Sequence, residues 1–92
     1  MIVRILTEGQ FDLPGSFLDD LNALDNKLVE VVEMADSDQF RISLKEMLDL
    51  VRENGKPVPL DELVESDVVL PAPDITIDEA GDLFTGEGLL PG

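Results

Sequence analysis

Two apolar stripes at helical spacing occupy the middle of the sequence and restrict its fold more than any other feature. Phe17, Leu21, Leu24, Leu28, Val31 and Ala35 recur in steps of four and three, the spacing of one helix face. Phe40, Leu44, Met47 and Val51 repeat the pattern, with Leu48 widening the stripe. Asp36-Ser37-Asp38 separates the two, breaking the first helix and supplying a cap for the second. The spacing predicts helices over residues 17–34 and 37–54. A connection this short makes them fold back on each other as an antiparallel helical hairpin. Ser16, with Asp19 three residues on, reads as the first N-cap. Gly55, followed by Pro57, reads as the glycine just past the end of the second helix. Asp19, Asp20, Asp25, Glu30 and Glu33 fall off the centre of the first stripe. Ile42 and Leu50 lie off the main stripe of the second helix and Leu18 and Val29 off that of the first, which makes them candidates for an exposed apolar patch.

Short strands flank this hairpin. Ile2 to Leu6 is a β-branched run, and Phe11 and Leu13 alternate with polar neighbours after the turn Thr7-Glu8-Gly9. Leu13-Pro14-Gly15 ends the pair. Beyond Gly55 the chain is punctuated by Pro57, Pro59, Pro71 and Pro73. Asp61 to Val64 reads as one short turn, and Val68-Val69-Leu70 as a strand able to join the first two. Thr76-Ile77-Asp78-Glu79 is a capping box that opens a short helix to about Phe84, stopped by Gly86 and Gly88. The expected fold is one α+β domain over residues 1–92. It comprises an N-terminal β-hairpin, an antiparallel helical hairpin, a short third strand and a short C-terminal helix.

Chemistry is limited by what is missing. The chain has no Cys and no His, so it lacks a thiolate nucleophile, an imidazole base and the commonest transition-metal ligands. No phosphate-binding loop is present, since Thr85-Gly86-Glu87-Gly88 lacks the lysine. Asp74-x-Thr76-x-Asp78 imitates the start of a calcium loop but puts Glu79 at the sharp turn and Thr85 at the twelfth position. These residues are better explained as a helix N-terminus. The expectation is a protein without catalytic residues, metal or cofactor. No stretch approaches the roughly 18 apolar residues of a membrane span, and the start is too soon interrupted for a signal peptide, so a cytoplasmic location is expected.

Twenty-one acidic residues stand against six basic ones, for a formal net charge of −15. Such a surface repels phosphate backbones and anionic membranes, which argues against nucleic-acid partners and direct membrane binding. The charge is unevenly spread. Residues 55–92 carry nine acids and Lys56 alone, while residues 37–54 carry four acids and three bases. On a helix, Arg41, Lys45 and Arg52 fall within about 40° of one another. They flank the apolar face beside Leu48. Two readings stay open: the basic stems cover the core edge and pair with acids of the first helix, or Arg41, Lys45, Leu48 and Arg52 form a docking strip for an acidic or amphipathic partner.

The chain ends carry a resemblance. Met1-Ile2-Val3-Arg4-Ile5 leading to Glu8-Gly9-Gln10-Phe11, with Glu87-Gly88-Leu89-Leu90-Pro91-Gly92 at the close, resembles the PspA-associated family. Asp61-Glu62-Leu63, then Ser66-Asp67-Val68-Val69-Leu70-Pro71, resembles its middle section. Phe11 departs from the tyrosine expected there, losing a hydroxyl and keeping the ring. The resemblance implies an accessory or regulatory role beside a phage-shock protein A-like, ESCRT-III-like coiled-coil protein of membrane stress. Membrane contact would then come through that partner. It implies no catalytic residues. A small-ligand-sensing domain is the alternative.

High acidity with only three Lys also suits concentrated salt and a halophilic archaeal source. At 1 M salt the screening length falls to about 3 Å, which removes most self-repulsion. Circular dichroism melts are therefore expected to rise steadily from dilute buffer to molar KCl. Equal melting temperatures in both would contradict salt adaptation.

Overall fold

The computed structural model describes residues 1–62 and 64–83. Four strands and three helices form an α+β fold: β1 (Ile2–Ile5), β2 (Gly9–Asp12), α1 (Leu18–Glu33), α2 (Ser37–Asn54), β3 (Lys56–Pro57), β4 (Val68–Leu70) and α3 (Ile77–Leu83). The hairpin, the two long helices, the later strand and the short last helix follow the sequence expectation. The two-residue β3 was not foreseen, because its Pro57 reads as punctuation. It sits at the sheet edge, where the missing N–H costs nothing. Leu63, the end of the last helix near Phe84, its stop at Gly86 and Gly88, and the closing motif 87–92 lie outside the described residues.

The strand order is β3-β2-β1-β4. β1 pairs antiparallel with β2, Val3 opposite Phe11 and Arg4 opposite Gln10. On its other side β1 pairs parallel with β4, Arg4 opposite Val69. Asp67 sets that register, its carboxylate accepting from Ile2 N at 2.8 Å while its own N–H donates to Ile2 O at 2.8 Å. Strand alternation then divides the sheet into two faces. Val3, Ile5, Val68 and Leu70 are buried and face the helices; Arg4 and Val69 are exposed on the opposite face.

The core lies between the inner sheet face and the two long helices. Leu21 and Leu28 of α1 meet Phe40, Leu44, Met47, Leu48 and Val51 of α2, all at most 1% exposed, and Ala80 of α3 closes one side. α1 packs against α3 as well as α2, so its buried sector is wider than its apolar stripe. Two expectations are corrected as a result. Asp25 is wholly buried rather than off the face, and Val29 is buried rather than exposed. Leu50 is half-buried against the core, while Leu18 and Ile42 are exposed as expected.

Three terminal details also differ. Pro14 starts a 3₁₀ turn over Gly15–Phe17, closed by Phe17 N to Pro14 O at 3.1 Å. Ser16 therefore lies inside this turn and caps nothing. Gly55 is extended, at φ −90°, rather than left-handed. A Cβ there would stand 2.7 Å from Val51 O and 3.0 Å from Phe11 Cβ, so glycine serves the close approach of α2 to β2. The left-handed residue is Ala35 (φ 55°), at the end of α1. Ala35 N donates to Val32 O at 3.0 Å and Asp36 N to Val31 O at 3.3 Å, a Schellman closure. Asp36 then caps α2, accepting from Gln39 N at 3.1 Å.

β3 and β4 occupy opposite edges, so residues 58–67 must cross the sheet. They cross on the face away from the helices. Gln10 Nε2 donates to Val64 O at 3.0 Å and to Ser66 Oγ at 2.8 Å, and Arg4 Nε donates to Ser66 Oγ at 3.3 Å.

An alanine in the left-handed region carries a steric penalty of about 1–2 kcal/mol that glycine avoids, against an entropy cost of about 0.5–1 kcal/mol. Ala35→Gly is expected to raise stability by up to about 1 kcal/mol in urea titrations. A lower midpoint would show that the αα turn is not held this way.

Candidate functional site

The four residues singled out in the sequence line one groove. Arg41, Leu44, Lys45, Leu48, Arg52 and Pro73 enclose about 350 Å³ along one flank of α2. Helical periodicity accounts for the grouping: positions 41, 45, 48 and 52 are separated by four, three and four residues and share one side. Leu44 and Leu48 form the floor and are each 1% exposed. Pro73, just before α3, forms part of the wall. Leu48 is thus a core residue that shows only an edge to the groove, and the rim consists of cations.

Each cation is held. Arg41 Nη1 donates to Pro73 O at 3.2 Å, and its guanidinium lies 5.9 Å from the Phe40 ring centroid. Lys45 Nζ meets Asp49 Oδ2 at 2.6 Å, one helical turn on. Arg52 donates through Nη1 to the other oxygen of Asp49 at 3.1 Å. Through Nε, at 2.8 Å, and Nη2 it also grips both oxygens of Glu8. Glu8 sits in the β1–β2 turn, where Thr7 (φ 74°) and Gly9 (φ 108°) are both left-handed. Arg52 therefore ties the hairpin turn to the last turn of α2 across 44 residues.

This corrects one of the two readings of the basic strip. The cations do pair, but with Asp49 on their own helix, Glu8 in the hairpin and a carbonyl near α3. Among the described residues, the ion pair between α1 and α2 is Lys27–Glu46 at 3.9 Å, with the basic residue on α1. α1 packs on the Glu46 side of α2, roughly a quarter-turn or more from the cations. The basic flank consequently faces the hairpin turn and the segment before α3. Glu8 was not singled out in the sequence; a lone acid in a turn of an acidic chain gives no signal of its partner.

The hydrogen bond from Arg52 holds the Glu8 carboxyl below its ordinary pKa, and that from Lys45, helped by Arg52, does the same for Asp49. Lys45 is raised by its bond to Asp49, and Arg52 by its bond to Glu8. The shifts in these four groups arise from their pairing with one another. Among the described residues no group of three acidic side chains is arranged to hold a metal ion. Asp74 and Asp78 flank the start of α3, where Thr76 Oγ1 accepts from Glu79 N at 3.2 Å and donates to its carboxylate at 3.0 Å. No helix among the described residues is long and apolar enough to cross a membrane.

The family model for PspA-associated proteins matches residues 1–92, and the chain belongs to that family. No curated protein and no solved structure matches it.

Lowered carboxyl pKa values stabilise the fold above the unfolded pKa, 4.5 for Glu8, and that stabilisation is lost as pH falls through the folded value. Glu8→Gln is expected to cost up to about 1 kcal/mol at neutral pH, the scale of a partly exposed pair. It should also flatten the fall in melting temperature below pH 4.5. Glu30→Gln, which removes the same charge from the surface of α1, is the control. Identical pH profiles for both variants would show that the clamp contributes nothing.

Proposed function

We propose that this PspA-associated protein is a non-enzymatic accessory module that binds a PspA-like coiled-coil protein through the basic groove of α2. The observation that carries this reading is the convergence of Arg41, Lys45, Leu48 and Arg52 on one open groove. Half of the chain's positive charge is concentrated there, on a molecule of net charge −15. An acidic or amphipathic partner helix lying beside α2 would present carboxylates to Arg41 and Lys45 and apolar side chains to their aliphatic stems and to Pro73, over the edge of Leu48. Family membership supports the identity of the partner.

Within the reading, the three cations have different roles. Lys45, whose side chain is 76% exposed, can exchange Asp49 for a partner carboxylate at little cost. Arg41 retains donors beyond the one given to Pro73. Arg52, forked onto Glu8, holds the groove's end in place. The acidic remainder keeps the protein off anionic lipid, so that it reaches a membrane only with its partner. This fits a module that works in a salt-rich cytoplasm and tunes the membrane-stress role of the partner.

The test is titration calorimetry with the PspA-like protein of the same organism. Arg41→Glu/Lys45→Glu is expected to weaken binding by about tenfold or more with the melting temperature retained. Arg52 is left intact because its loss would also release the hairpin. Unchanged affinity in the double variant would remove the groove from the binding surface.

A further inference from the structure

The sheet face opposite the helices carries the opposite combination of charge and apolar surface. Seven large apolar side chains are exposed among the described residues, and four of them, Leu6, Leu60, Val64 and Val69, lie on this face or on the segment that crosses it. Leu60 is 96% exposed. Its position is nevertheless fixed. Pro57 and Pro59 precede it, Glu62 N donates to Pro59 O at 3.0 Å around it, and Val58 N anchors the segment to Gln10 O at 2.9 Å. A hydrophobic side chain presented on a braced turn leaves less backbone ordering to be met on binding. Leu60 and Val64 line a second groove of about 200 Å³ with Arg4 and Gln10 on its sheet side.

Acids surround this apolar surface. Asp61, Glu62, Glu65 and Asp67 are all exposed, and no Lys or Arg occurs between Pro57 and Leu83. The base that faces the segment, Arg4, is bonded to Ser66.

We infer that this face is a docking surface for a basic amphipathic helix of a protein partner, with leucines on one side and lysines or arginines along its flanks. The helix would lay its apolar side on Leu60 and Val64 and place its cations against the acids of residues 61–67. This surface is separate from the α2 groove and selects the opposite charge. A segment of this kind is also one that binds anionic membranes, so the protein would compete with lipid for it.

The probe is a synthetic Leu/Lys amphipathic peptide of about 18 residues, with its Leu/Glu counterpart as control, titrated by fluorescence in about 0.1 M KCl, where the screening length is about 10 Å and charge still discriminates. Wild-type protein is expected to bind the Leu/Lys peptide and not the Leu/Glu one. Leu60→Asp and Val64→Asp each add a negative charge, so binding by net charge alone would tighten in both. Docking on the apolar surface predicts about tenfold weaker binding instead. Asn26→Asp, on the exposed surface of α1, adds one negative charge away from both grooves and is expected to bind as wild type. The inference is overturned if wild type fails to bind the Leu/Lys peptide, if both peptides bind alike, or if Leu60→Asp binds as tightly as wild type. Leu60 is exposed enough that its variant keeps the fold, which a melt verifies; should Val64→Asp melt early, the Leu60 result decides.

Discussion

Everything in this fold is hung on β1. It is four residues long, yet it pairs on both edges, antiparallel with β2 and parallel with β4. Its alternation decides which side of the sheet is interior. Val3 and Ile5 turn inward and receive the helices, while Arg4 turns outward and receives the crossing segment through Ser66. A shift of one residue in this strand would put a guanidinium into the core and expose two aliphatic side chains. Asp67 guards against that shift by bonding both polar groups of Ile2.

The molecule handles its acidity by placement. The few cations are used where separate parts of the chain must be joined: Arg52 joins α2 to the hairpin turn, Arg41 joins α2 to the start of the last helix, and Lys27 joins α1 to α2. Uncompensated acids are left on the crossing segment and around α3, where solvent and counterions screen them. The consequence is a surface of two polarities. The flank of α2 is basic around an apolar floor, and the far sheet face is acidic around apolar side chains. Belonging to a family defined by association with another protein suits a surface divided in this way.

Elements with a strong local period were legible in the sequence. The stripe from Phe40 to Val51 specified α2, its ends came from the Asp36-Ser37-Asp38 break and from Asn54-Gly55, and the helical period placed Arg41, Lys45 and Arg52 together. Features arising from contacts between distant segments were not legible. Asp25 is buried because it shares a face with Leu21, Leu28 and Val29, four, three and four residues away, and its charge masked that in the sequence. Glu8 becomes the partner of Arg52 only because the hairpin turn arrives at the end of α2. β3 exists because Lys56 and Pro57 meet β2; its composition argues against a strand. Gly55 was placed correctly at the helix end but for a different reason: a side chain there would meet Val51 O of its own helix and, remote in sequence, Phe11 of β2.

The parallel pairing of β1 with β4 has a consequence for how the chain is made. β1 can complete its ladder only when residues 68–70 arrive, after both long helices. During translation, one edge of β1 therefore remains open while the hairpin and the helical pair are already able to assemble beside it. Contacts of such long sequence separation form slowly, and an open aliphatic edge invites mispairing with neighbouring chains. The brevity of β1 and the repulsion among heavily charged nascent chains both oppose that outcome. The acidity that separates finished molecules also separates unfinished ones.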